Sequence, residues 1–172
     1  SEIHPDIDKR EKDLLMSCGE IISTIVLVQT LKKHNISAIA LTGAQAGIYT
    51  DDNFGEAEIE KVIPEKVNKA LMEGKIPVIA GFQGITADGD ITTLGRGGSD
   101  TTASVIAAAI GALYIEIYTD VAGVMTADPG MVESARILEV VSYNEVCELA
   151  YQGARVIHPR AAEIAMAEGI PI

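Results

Sequence analysis

Three short apolar runs, Ala38 to Leu41, Ile76 to Ala80 and Leu113 to Tyr118, each lead into a loop of glycines and small polar residues, with helical patterns between them. This alternation predicts an α/β fold with a mainly parallel sheet and right-handed crossovers. Only 4% of the chain is aromatic and there is no Trp, so Ile, Val, Leu and Ala must fill the core. That palette suits buried parallel strands covered by helices. Ligands of such sheets gather at the C-terminal ends of the strands, so the loops opening at Thr42, Gly81 and Thr119 are expected to share one edge.

The helical patterns have readable ends. Leu14, Leu15, Cys18, Ile22, Ile25, Val26 and Leu31 fall near helical spacing within Asp13 to His34, with Lys32, Lys33 and His34 where cations favour a C-terminus and Asn35 as the stop. Pro64 opens and Gly74 closes a second helix. An Ala-rich helix over Thr101 to Ile110 ends at Gly111, and Asn144 to Gly153 and Ala161 to Glu168 read as two more. Ala87-Asp88-Gly89-Asp90 reads as the turn of a small hairpin, and Ile170 to Ile172 as the beginning of a strand.

With 172 residues, 48% of them hydrophobic, the chain suffices for one domain with a real core. A net charge of -12 argues against nucleic acid and anionic membranes as partners, because both are repelled at long range. The most apolar window, Ile21 to Leu31, is short and interrupted by Ser23, Thr24, Gln29 and Thr30, and no signal peptide is expected. Cys18 and Cys147 have no metal-ligand or redox spacing, which points to packed thiols in a reduced, cytoplasmic setting.

The segment Gly95 to Thr102, GRGGSDTT, has the composition of an anion site. Its glycines let a ligand approach backbone N–H groups, and Ser99 and Asp100 are delivered to a helix start. Arg96 is the only basic residue between Lys75 and Arg136, an interval that holds Asp88, Asp90, Asp100, Glu116, Asp120, Asp128 and Glu133. Two readings remain at this point: a guanidinium kept for an anionic ligand, or a surface turn whose Arg pairs with a neighbouring carboxylate. Neither GxxxxGK[ST] nor a strand-borne GxGxxG is present, so a P-loop and a dinucleotide site are unsupported. A second segment, YTDVAGVMTADP over Tyr118 to Pro129, follows an expected strand; its Asp120 and Asp128 also suit plain turn capping.

Together with LLMSCGE (Leu14 to Glu20), LTGAQAGI (Leu41 to Ile48), GFQG (Gly81 to Gly84) and QGARVIHPR (Gln152 to Arg160), these segments resemble the aspartokinases of the amino-acid kinase superfamily. The resemblance implies a three-layer αβα sandwich with a mainly parallel central sheet, and transfer of the ATP γ-phosphoryl group to the β-carboxylate of L-aspartate, the first step of lysine, threonine and methionine biosynthesis. By the same resemblance Arg96, Asp100 and Arg155 are catalytic. Glu20, Arg96, Gly97, Gly98 and Ser99 bind aspartate, with Thr42 to Gly47 as a wall of the amino-acid pocket. Ser99, Tyr118, Thr119, Asp120, Val124, Met125, Thr126, Ala127, Asp128, Pro129 and Arg155 bind ATP. Mg²⁺ is expected with ATP and without direct protein ligands, and a homo-oligomer is expected for the full-length protein.

Departures from the family pattern accompany these expectations. Nothing before Glu20 matches the family's KFGG strand and loop, and neither the end of its kinase domain nor its ACT modules appear, so residues 1–172 are expected to form a partial catalytic domain, inactive by itself. Arg155 stands where a lysine is usual, Met125 where an aromatic residue is usual, and Gly130 where an arginine follows DP. His158 is read as structural. Two alternatives stay open: a sister kinase with another acceptor such as glutamate or acetylglutamate, and a noncatalytic module that binds nucleotide or a partner.

Overall fold

The computed structural model describes residues 6–121, 123–128, 130–151 and 156–172. Helix α1, Lys9–Lys33, starts at Asp8, whose carboxylate accepts the Arg10 N–H, and ends at His34. Asn35 then takes the left-handed conformation at φ 61, the expected stop. Apolar spacing finds this helix but not its buried face. Asp13, Ser17, Thr24 and Val28 point inward, while Leu14, Leu15, Ile22, Ile25 and Val26 are about half exposed or more. By length and composition α1 would also suffice to cross a membrane, yet it lies packed against the sheets.

Polar bonds explain this orientation. The Asp13 side chain, 1% exposed, accepts the N–H groups of Gly55 at 2.8 Å and Thr93 at 2.7 Å on Oδ2, and the Thr93 hydroxyl at 2.9 Å on Oδ1. Gln83 Nε2 donates to the Ser17 carbonyl at 3.2 Å. A buried carboxylate with three donors is satisfied without a cation.

Strands β1 (Ala38–Leu41) and β4 (Ile76–Ile79) pair in parallel, Ala38 opposite Ile76 and Leu41 opposite Ile79. Beside them lies a four-stranded sheet in the order β3-β2-β5-β6: β2 (Ile48–Thr50), β3 (Ile59–Val62), β5 (Gln83–Ile85) and β6 (Ile91–Thr93). β2 and β5 run parallel, and the outer pairs are antiparallel. The expected hairpin is the β5–β6 connection, closed by the bonds from Thr86 N–H to Asp90 O and from Gly89 N–H to Thr86 O. Sequence periodicity does not reveal β2 and β3, because runs of three and four residues carry little periodic signal.

Pleat alternation divides the parallel pair. Ile39, Leu41 and Ile79 meet Val67 of α2 (Glu65–Met72) and Ile106 of α3 (Gly98–Ile110), whereas Ala40 lies near Thr24 and Ile25 of α1. The expected strand at Leu113 to Tyr118 forms no ladder among the described residues. Ile115 N–H reaches Pro171 O at 2.7 Å, and the Ile170 to Ile172 segment likewise forms no strand. Apolar content buries Ile115 and Ile170, but a strand also needs neighbours along its length.

α4 (Tyr143–Tyr151) follows, and α5 (Pro159–Glu168) packs on α3. Ala103 and Ala107 of α3 share an apolar cluster with Ala165 of α5, and Ala161, Ala162 and Ala165 are fully buried. Small side chains allow the two axes to come close. Ser142 and Glu145 form a capping box for α4: Glu145 Oε2 accepts the Ser142 N–H and hydroxyl, and the Ser142 hydroxyl accepts the Glu145 N–H.

Two predictions arise from these contacts. Gly47 has φ +84, and a Cβ there would fall 1.8 Å from the Ile63 carbonyl oxygen. Gly47→Ala therefore combines left-handed strain with overpacking and should destabilise the fold by about 2–4 kcal/mol, read from urea midpoints. The Ser142 bonds hold the Glu145 carboxyl below its ordinary range. The α4 cap should be complete above the ordinary Glu value and be lost as pH falls through the depressed one, and amide exchange in α4 should accelerate across that window and not above it.

Candidate active site

The N-terminus of α3 organises a recess of about 450 Å³ lined by Met16, Glu20, Phe82, Gly95, Arg96, Gly97, Gly98 and Ser99. The helix begins three residues earlier than its Ala-rich pattern, with left-handed Gly97 (φ 71) as N-cap. Ser99 and Asp100 therefore sit in the first turn. Gly98 N–H is bonded to Gly95 O, and Thr101 N–H to Gly97 O, which leaves the N–H groups between them at the positive end of the helix.

Glu20 and Arg96 line the same recess, and neither forms an ion pair or hydrogen bond among the described residues. Arg96 is exposed, but the carboxylate partner that a plain surface turn would give it is absent among the described residues. Asp90, the acidic neighbour on the hairpin, is taken by Arg10 at 2.6 Å. Opposite charges on separate walls of one recess suit a ligand bearing both a carboxylate and an ammonium group.

Asp100 does not line this recess. Its Oδ2 accepts the His158 N–H at 3.3 Å, tying α3 to the start of α5. The His158 ring lies against Gly97 so closely that a Cβ there would fall 2.1 Å from Cγ, and its buried Nδ1 lacks a hydrogen-bond partner among the described residues. Met16 and Phe82 were missed by sequence reasoning. Met16 sits one helical turn before Glu20, a spacing that points to it. Phe82 has φ 69, unusual outside glycine, and its position between Gly81 and Gln83 gave no sign of it.

A second recess, about 710 Å³, includes Ile117, Tyr118, Thr119, Val124, Val140 and Ile157 in its largely apolar lining. Its volume suits a small-molecule ligand. Of the residues expected to bind nucleotide, it gathers Tyr118, Thr119 and Val124. Met125 instead forms a bridge with Ile137, Thr126 N–H bonds to Arg136 O, and Asp128 Oδ1 accepts Gly130 N–H in a turn. Ala127 is partly buried, and Asp120 accepts the Thr119 hydroxyl at 3.2 Å. The Glu116 carboxylate accepts the Tyr118 hydroxyl and pushes its pKa above the ordinary phenol value. Pro129 and Arg155 lie outside the described residues. Thr42 and Gln45 line a separate recess of about 140 Å³, and Gly43 lies against the Gln83 backbone, so the Thr42 to Gly47 loop is not a wall of the Arg96 recess.

Known proteins resemble this chain in sequence and in fold. Aspartokinase 1 of Bacillus subtilis is 55% identical over 166 residues, covering 96% of this chain and 41% of that protein. An aspartokinase of Thermus thermophilus is 48% identical over 98% of this chain and 42% of its own length. Among solved structures, E. coli aspartokinase III in complex with aspartate and ADP superposes with a TM-score of 0.89 at 33% identity, covering 96% of this chain and 38% of that one. UMP kinase from Ureaplasma parvum, with a TM-score of 0.65 at 20% identity, shares the fold. The chain thus spans about two fifths of the length of these aspartokinases. The model of the amino acid kinase family matches residues 2–172, and the chain belongs to that family.

Proposed function

We propose that this chain is part of an aspartate kinase catalytic domain, which transfers the γ-phosphoryl group of ATP to the β-carboxylate of L-aspartate. The products are 4-phospho-L-aspartate and ADP. The observation that carries this reading is the pairing of Glu20 and Arg96 across one recess, neither engaged by another side chain among the described residues. Arg96 forks onto the α-carboxylate and Glu20 receives the ammonium group, which leaves the β-carboxylate free to react. High similarity to aspartokinases supports this acceptor over glutamate or acetylglutamate.

The nucleophile needs no general base, because a carboxylate with an ordinary pKa of about 3.9 is already ionised at neutral pH. What remains is to hold two anions in line and offset their charge. The first-turn N–H groups of α3, with Gly97, Gly98 and Ser99 around them, face the reacting groups in this reading. Asp100 acts through its bond to His158, and Arg155 supplies positive charge for the phosphates. Tyr118, Thr119 and Val124 hold the adenosine end in the larger recess, with Asp120, Met125 to Pro129 completing the loop. Mg²⁺ enters as MgATP and lowers the charge that the acceptor meets. The full-length protein is proposed to be a cytoplasmic homo-oligomer.

Two measurements bear on this reading. In the full-length protein, ATP and aspartate should give a hydroxamate after trapping with hydroxylamine, and no acyl phosphate would sink the proposal. Arg96→Ala removes charged hydrogen bonds of about 1.5–3 kcal/mol each. It should lower kcat/KM for aspartate by roughly 10²–10⁴-fold with KM for ATP little changed. A variant with near-normal kcat/KM would remove Arg96 from the site.

A further inference from the structure

We infer that Asp13 is a positioning residue that sets the separation between Glu20 and Arg96, the two walls of the amino-acid recess; the inference rests on the proposed function of that recess. Asp13 and Glu20 lie seven residues apart on α1, about 10.5 Å along one face. Asp13 binds both the N–H and the hydroxyl of Thr93, the last residue of β6, and Thr93 precedes Arg96 by three residues. One buried carboxylate therefore couples the helix that carries Glu20 to the strand that feeds Arg96. Its third bond, from Gly55 N–H, fixes the loop that touches Gly95, where a Cβ would lie 3.2 Å from Gly55 O.

The exposed Arg10–Asp90 pair also joins α1 to β6, but at the hairpin end of that strand, away from Arg96, and an exposed pair contributes little. Among the described residues, Gln83 Nε2 to Ser17 O is the other buried polar bond between α1 and the four-stranded sheet, and it ends on β5. The apolar side chains of α1 are largely exposed, so packing alone does not pin the helix along its axis. Hydrogen bonds are directional and apolar contact is not. A slip of α1 by a fraction of a turn would move Glu20 relative to Arg96 and spoil a zwitterion site before it unfolded the domain.

The test uses three variants of the full-length protein. Asp13→Ala leaves two N–H donors and a hydroxyl without their acceptor. Asp13→Asn can restore them, its amide oxygen accepting both N–H groups and its NH₂ donating to the Thr93 hydroxyl oxygen. Thr93→Val removes only the hydroxyl bond and keeps the shape. Hydroxamate trapping across a range of aspartate concentrations should show KM for aspartate raised at least about tenfold in Asp13→Ala and about threefold in Thr93→Val. It should be within about twofold of the parent in Asp13→Asn, with KM for ATP unchanged in all three. A role confined to stability would reduce the folded fraction and leave KM alone, and that outcome in Thr93→Val overturns the inference even if Asp13→Ala does not fold. If the parent phosphorylates another acceptor, the proposed substrate fails, and the same KM ratios are read on that acceptor. If it phosphorylates none, hydrogen exchange decides: Thr93→Val should accelerate residues 93–98 and spare α5, and unchanged exchange there overturns the role of Asp13.

Discussion

The start of α3 is packed too tightly for a side chain at Gly97 or Gly98, and the candidate site depends on that closeness. A Cβ on Gly97 would fall 2.1 Å from His158 Cγ, and one on Gly98 would fall 2.8 Å from Phe82 Cδ2 and 3.0 Å from Leu94 Cβ. Gly97 also needs φ 71, which side-chain-bearing residues adopt at a cost. With both side chains missing, His158 at the start of α5 and Phe82 and Leu94, which border β5 and β6, can close on the helix start. Further along the same seam the alanines of α3 and α5 continue the close contact. The two recesses border it, one through Gly97 and the other through Ile157.

Electrostatics at this seam runs against the charge of the chain. A net charge of -12 repels ATP and aspartate at long range, but the Debye length at physiological salt is only about 8 Å. Inside the recess the nearest sources are the Arg96 guanidinium and the N-terminal end of α3, both positive, with Glu20 on the other wall. A zwitterionic amino acid meets attraction at each end. A simple dianion would meet Glu20 as a penalty, so the recess discriminates by charge pattern rather than by total charge.

How much of this was legible in the sequence varied with the range of the interaction. Helix ends set by local chemistry were readable: Asn35 stops α1, Gly111 stops α3, and Gly89 turns the hairpin. Glu20, Arg96, Gly97, Gly98 and Ser99 were named from motifs and do line one recess. Interactions between distant segments were hidden. The Asp13–Thr93 bonds join residues 80 apart, and no spacing rule announces that a helix will bury its aspartate and show its leucines. The Leu113 to Tyr118 run failed as a strand for the same reason, since apolar composition reports burial whereas a ladder depends on a neighbour elsewhere in the chain. Asp128 bonds its own loop at Gly130, as its turn-capping chemistry suggests.

The reversed polarity of α1 follows from what it must do. A helix held by an apolar stripe can slide or roll at small cost, because contact area changes little over a fraction of a turn. A helix held by Asp13 and the Ser17 carbonyl cannot, because each bond tolerates only a narrow range of distance and angle. Such polar docking is stable only where every member is satisfied, and here the carboxylate has three donors and Gln83 reaches its acceptor. The sequence thus gives up some apolar burial on α1 in exchange for register, and the residue whose register matters most is Glu20, two turns beyond the anchor.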